Sequence, residues 1–332
     1  MNFISLYSFV ISLLSLILII LLSRKYQFFL DPEHSTKPQH FHTSTTSRGG
    51  GIGIFLGIIL LLFSPLGVQL MLPLLLAFLS GILEDYHNTL SPHFRLILQV
   101  FAAISAIWLT HSVVTYLGLG INMPYWLGML FSAFAIVGMM NAINIIDGFN
   151  GLAAGVIFFI LLSFDITAHQ NNSSEMVQII EIIMGAILGF MVLNFPKGKI
   201  FLGDGGAYLL GFIVSIIGIF LASRYESVSP WYILTVFIYP VWEVIFSIIR
   251  KLSLGLSPLK PDNKHLHMLI YRQLTKNNPL TALFIVMSTL PFMVLSTVYS
   301  SKSISNILIA FTFISSYLIL YRYLLQKEKY SL

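Results

Sequence analysis

FISLYSFVISLLSLILIILL, residues 3–22, carries no charge and is followed at once by Arg24 and Lys25. At 1.5 Å per residue such a stretch makes a helix about 30 Å long, the thickness of a bilayer's hydrocarbon core. It is longer than a signal-peptide core and no small-residue cleavage site follows, so it reads as a first membrane span. Stretches of similar character recur at roughly 49–66, 67–83, 94–112, 124–143, 151–168, 176–195, 205–223, 231–249, 280–299 and 303–321. The fold expected is an all-α integral membrane protein, a bundle of about eleven transmembrane helices forming a single polytopic domain over 1–332. Composition agrees: 57% of the 332 residues are hydrophobic and 9% charged, and the mean hydropathy is +0.87. The 18 Lys and Arg and 13 Asp and Glu residues are too few to clothe a soluble core of this size.

Charge sets the orientation, because Lys and Arg collect on the cytoplasmic side of a bilayer. With the N-terminus outside, only Arg224 and Lys302 fall externally. The C-terminus and the loops at about 24–48, 84–93, 141–150, 196–204 and 250–279 are then cytoplasmic. The external connections are mostly short, and His-Gln-Asn-Asn-Ser-Ser-Glu at 169–175 reads as an ordinary solvated loop. Function is therefore expected on the inner face. No soluble domain or heptad array is visible, and no nucleic-acid partner is expected. The chain has no cysteine, which excludes disulfides and thiolate metal sites. A metal would take oxygen or imidazole ligands, which favours a hard cation such as magnesium.

Four carboxylates stand at the cytoplasmic ends of different spans: Glu84, Asp85, Asp147 and Asp204. Their neighbours are glycine and asparagine rather than basic partners. On a helix, Asn141, Asn144 and Asp147 at three-residue steps cover an arc of about 120°. Such a stripe can present neutral oxygens to magnesium and amides to a sugar or base, although helix–helix bonding is the alternative for Asn141. Gly203-Asp204-Gly205-Gly206 lets backbone approach a ligand and aims helix N-terminal amides at an anion, with a capping aspartate as the plainer reading. Arg48-Gly49-Gly50-Gly51 couples a guanidinium to a flexible helix start, again suited to phosphate. In the loop 257–267, His265 and His267 stand without a third imidazole or thiolate nearby, so phosphate or sugar contact is preferred over zinc. His34 and His40 read as bystanders in a solvated loop, with His42 set apart as the exception among the three. Glu243, inside an apolar span, is expensive to keep there and is a candidate for function.

Taken in order, these motifs resemble the polyprenyl-phosphate N-acetylhexosamine-1-phosphate transferases, the MraY and WecA superfamily. Arg48-Gly-Gly-Gly is similar to its first cytoplasmic signature. Glu84-Asp85 stands where the family has an aspartate pair, with Leu90, Arg95 and Gln99 at familiar offsets. Asn141-x-x-Asn-x-x-Asp-Gly-x-Asn-Gly-Leu is similar to the most specific motif, and Phe201-Leu-Gly-Asp204 and Pro261-Asp-x-x-His-Leu-His267 follow. The last pattern points to the WecA-like branch. Departures are Glu84 for an aspartate, Thr45 and Ser47 where prolines commonly flank the arginine, Met268 for a third histidine, and Glu243 for an aspartate.

The resemblance implies transfer of a HexNAc 1-phosphate from a UDP-sugar to undecaprenyl phosphate, releasing UMP, as the initiating step of a cell-surface glycan. It implies a multi-pass protein of the bacterial inner membrane with its site facing the cytoplasm, magnesium (or manganese) as cofactor, membrane lipid as partner, and room for a homodimer. It assigns catalytic roles to Glu84, Asp85, Asp147 and Asp204 and the metal to Asn144 and Asp204. Asp85 with Glu84 would deprotonate or orient the lipid phosphate, and Arg95 would hold it. Phe201 would stack on uracil, Asn150 would hydrogen-bond it, and Arg48, His265 and His267 would contact pyrophosphate or sugar, with Asn141 beside the substrate. The competing class is a transporter, whose mark would be ionisable residues near the midplane; at this level only Glu243 approaches that.

Overall fold

The computed structural model describes residues 3–30, 46–87, 90–258 and 263–330. The elements are α1 (Phe3–Tyr26), α2 (Gly50–Ile58), α3 (Pro65–His87), α4 (Pro92–Thr110), α5 (Tyr125–Ile146), α6 (Leu152–Gln170), α7 (Ser174–Asn194), α8 (Gly203–Arg224), α9 (Pro230–Val236), α10 (Ile238–Ser253), α11 (Leu266–Ile270), α12 (Asn278–Val298) and α13 (Ser303–Tyr330). The helix starts follow local chemistry. Ser91, Ser229 and Asn277 each accept a backbone N–H from the first turn that follows, and a proline occupies the opening turn of α4, α9 and α12, where its missing donor costs nothing.

The chain is an all-helical membrane bundle, as expected. Among the described residues, nine helices are long and apolar enough to cross a bilayer. Two of the expected spans take other forms. The 49–66 stretch becomes α2, nine residues, continued by a five-residue 3₁₀ turn, Ile59–Phe63. Together they reach about 23 Å, short of a full crossing. The 231–249 stretch becomes α9 and α10, bent by 77°. Pro240 has no N–H for the Val236 carbonyl, and its ring crowds that carbonyl, which lets the helix break there. Acids inside spans also number more than Glu243. Asp165 lies in α6 and Glu181 in α7, and Asp165 pairs with His169 one turn on at 3.8 Å.

Helix α8 is apolar on all sides and is the hub, with 89% of its crossing segment buried, against 22% for α1 and for α13. Helices α3 and α5 pack on α8, and α4 packs on both of them. That juxtaposition, more than any single loop, positions the site. Elsewhere polar contacts join the helices as they do in lipid: Ser8 donates to the carbonyls of Gly57 and Ile182, and Ser12 to that of Ala186, fixing α1 against α2 and α7. Glu175, expected in a solvated loop, accepts the backbone N–H of Leu66 at 2.8 Å and ties α7 to the start of α3.

Candidate functional site

The site begins with backbone. Phe201 N–H donates to the Ser47 carbonyl at 2.8 Å, and Gly50 and Gly51 N–H donate to the carbonyls of Phe201 and Leu202 at 2.9 Å, so the Arg48 segment and the entry to α8 run side by side. Gly203 turns the chain at φ +74°, where an added Cβ would stand 2.3 Å from the Arg48 carbonyl oxygen and 2.7 Å from Asp85 Oδ2. No side chain fits. The first amides of α8 then meet a carboxylate from α3: Asp85 Oδ1 accepts from Asp204 N–H at 3.0 Å and Oδ2 from Gly205 N–H at 2.8 Å. Asp85 is only 4% exposed. It satisfies two otherwise orphaned donors at the positive end of the helix.

Thus anchored, Asp204 presents its side chain, 31% exposed, to two neighbours. Arg95 Nη1 from α4 donates to Oδ2 at 2.9 Å, and Asn144 Nδ2 from α5 donates to Oδ1 at 2.9 Å. Asp147 stands just past the end of α5; burial first, and the negative charge of Asp204 second, push its carboxyl up to about 7. Helices α3, α4, α5 and α8 thus deliver one polar cluster at one end of the bundle. Tyr208, one turn into α8, lies in the field of Asp204, Arg95 and Asp85. Nothing in the sequence marked it.

The other expected residues are placed as follows. Glu84 Oε2 accepts the Leu90 N–H at 2.9 Å and so ties the end of α3 to the residues just before α4. Asn141 donates to Gln99 Oε1 and to its own helix at Val137 O, both at 2.8 Å, which joins α5 to α4. Arg95, expected to meet the lipid phosphate, is paired with Asp204. Asn150 is buried; its N–H donates to Asn278 Oδ1 and its Nδ2 to the Pro196 carbonyl. Arg48 lies close enough to Asp85 for their charges to interact, and Phe201 is half-buried. His265 and His267 are buried with rings parallel. A Cβ on Gly148 would stand 3.8 Å from His267 Nε2, so this segment abuts the turn that carries Asp147. His42, Thr45, Pro261 and Asp262 lie outside the described residues.

Asn194, overlooked in the sequence because it closes an apolar span, holds the floor together. Its Oδ1 accepts the Gly151 N–H at 2.7 Å and its Nδ2 donates to the Ile200 carbonyl at 2.8 Å. Asn194→Ala strands a buried N–H and a carbonyl, a loss of about 2 kcal/mol. It is expected to lower the thermal unfolding midpoint of the purified protein by several degrees.

A family profile described as Glycosyl transferase family 4 matches residues 67–222, the stretch from α3 to α8 that carries Asp85, Arg95, Asn144, Asp147 and Asp204. The match covers a little under half of the chain. The chain is 27% identical over 274 residues to the probable undecaprenyl-phosphate N-acetylglucosaminyl 1-phosphate transferase of Bacillus subtilis, covering 78% of this chain and 75% of that one. It is 29% identical over 252 residues to the undecaprenyl-phosphate alpha-N-acetylglucosaminyl 1-phosphate transferase of Thermotoga maritima, covering 75% of each. It is also 27% identical over 267 residues to a phospho-N-acetylmuramoyl-pentapeptide-transferase of Bacillus cytotoxicus, covering 74% of this chain and 81% of that one. All three relatives are named as transferases, and the helices make this chain a multi-pass membrane protein.

Proposed function

We propose that the chain transfers a HexNAc 1-phosphate from a UDP-sugar to undecaprenyl phosphate on the cytoplasmic leaflet, releasing UMP. The observation that carries the reading is the meeting of Arg95, Asn144 and Asp204, from three separate spans, on two 2.9 Å bonds to one carboxylate. The relatives' names supply the substrate class.

Magnesium fits this donor set. The groups are hard oxygen donors, and each oxygen of Asp204 can accept more than its present partner. Among the described residues no three carboxylates or imidazoles form a ready cage. Magnesium requires none, since it takes one or two protein carboxylates and completes its shell with water and substrate phosphates. Asp204 and Asn144 would hold it, with Asp147 adjacent. Bound there, it would neutralise charge on the pyrophosphate.

The rest falls to the chain. An oxygen of the lipid phosphate attacks the β-phosphorus, the bond from that phosphorus to the bridging oxygen breaks, and UMP leaves with the electron pair. A phosphate monoester has a second pKa of about 6, so the nucleophile arrives already ionised and needs no base. Of the two roles expected for Asp85 with Glu84, deprotonating or orienting the lipid phosphate, an ionised nucleophile does not require the first. Both oxygens of Asp85 already accept amides, and its work is to fix Asp204. Arg95 holds Asp204 until an anionic substrate competes for the guanidinium. Arg48, His265 and His267 would meet the donor's phosphates and sugar.

The test is exchange of labelled UMP into a panel of UDP-sugars by purified protein with polyprenyl phosphate. Exchange that needs both the lipid phosphate and magnesium, with one UDP-HexNAc preferred, is expected. Folded protein that exchanges none of them would favour transport instead.

A further inference from the structure

Glu243 is a buried acid that the reaction leaves unused. It sits in α10 at 1% exposure, where an unsatisfied carboxylate would be prohibitively costly. Oε1 accepts the Leu266 N–H at 2.9 Å and lies 3.0 Å from His265 Nδ1, while Oε2 accepts the Tyr317 hydroxyl from α13 at 2.9 Å. An ionised carboxylate can only accept. The neighbouring Nδ1 must therefore be the donor, and the proton of a neutral His265 must reside on Nδ1 rather than Nε2.

The same hub reaches further. The amide captured at Leu266 is the first of α11, so Glu243 also pins the start of the segment bearing His267. His267 Nδ1 lies 3.3 Å from the Tyr239 hydroxyl, from the turn of α10 before Glu243. The two imidazole rings are parallel within 1°, and Phe149 meets His267 edge-on. From α13, Tyr321 donates to the Lys264 carbonyl at 3.1 Å. One buried acid thereby joins α10, α11 and α13 and sets how the 265–267 segment faces the Asp147–Gly148 turn.

We propose that Glu243 is a positioning residue for the transfer reaction: it holds His265 as the Nδ1-protonated form and fixes the 265–267 segment against the Asp147–Gly148 turn. The catalytic part of this statement rests on the reading under Proposed function. The geometric part does not. A purely structural acid would support the helices without selecting a tautomer, and the two can be separated. Because misplacing a substrate-contacting group by about 1 Å can cost about 10²-fold, a drop approaching that size in kcat/KM is expected for Glu243→Gln.

Histidine-¹⁵N NMR of the full-length protein in detergent or nanodiscs, with the His265 signal assigned by its loss in His265→Gln, reads the tautomer directly. Wild-type His265 is expected to carry its proton on Nδ1, and Glu243→Gln to release it to a mixture of forms. In UMP exchange, the Glu243→Gln/His265→Gln double variant is expected to be no slower than His265→Gln alone. A wild-type His265 protonated on Nε2 would overturn the proposal, and that spectrum requires no variant at position 243 to fold. Additive losses in the double variant would overturn it as well. If the wild-type protein exchanges no UDP-sugar while its spectrum shows the Nδ1 form, the transferase reading fails and the positioning geometry stands.

Discussion

Asp204→Asn is expected to lower UMP exchange by at least about 10³-fold while leaving a folded protein in the membrane. The substitution preserves shape and removes one negative charge at the point where Arg95 and Asn144 converge. Loss of a charged group that organises a phosphoryl-transfer site has effects of this order, because such sites work by positioning and charge neutralisation rather than by covalent chemistry. The backbone N–H of residue 204 still reaches Asp85, so the start of α8 survives and the thermal midpoint should move little. Asp204→Glu shifts the carboxylate by one methylene and should lose about 10²-fold. A variant Asp204→Asn retaining a tenth or more of wild-type exchange would remove this residue from the centre of the reaction.

Gly81→Val is expected to abolish activity by a different route. Helices α3 and α8 touch backbone to backbone at this position. A Cβ on residue 81 would stand 2.3 Å from the Asp204 carbonyl carbon and 2.4 Å from its oxygen. No rotamer relieves a clash with main chain, so the helices must part by about 1 Å to restore an ordinary contact. The amides that Asp85 holds lie within the same contact and must move with it. Loss of exchange together with a lower thermal midpoint or reduced yield is expected. Leu72→Ala, on the same helix at a position 55% exposed, serves as the control and should change neither greatly. A fully active Gly81→Val protein would show that this close approach is not needed.

Much of the fold was legible because lipid imposes a single rule, long apolar helices, and the sequence displays them. The exceptions were set by details that hydropathy averages away. Pro240 accompanies a 77° break, whereas Pro73 and Pro291 lie inside helices that continue. A proline thus permits a bend without dictating it, and the surrounding packing decides. The site's residues were legible as motifs, but their partners were not. That Asp85 would cap α8, 119 positions away in sequence, follows from the crossing of α3 and α8, which no local pattern encodes. Asn141 and Asn144 share a helix face by period, yet one turns to Gln99 and the other to Asp204, because a different neighbour packs at each level. Glu243 was visible as an anomaly, and only the approach of α11 and α13 shows what it holds.

The central claim is that α3, α5 and α8 build one divalent-cation site around Asp204. Electron paramagnetic resonance titration of manganese into the purified protein, with UMP present, tests it without reference to turnover. One saturable site in the wild-type protein, lost in Asp204→Asn and displaced by magnesium, is the predicted result. Equal manganese binding by the wild-type and Asp204→Asn proteins would contradict the claim.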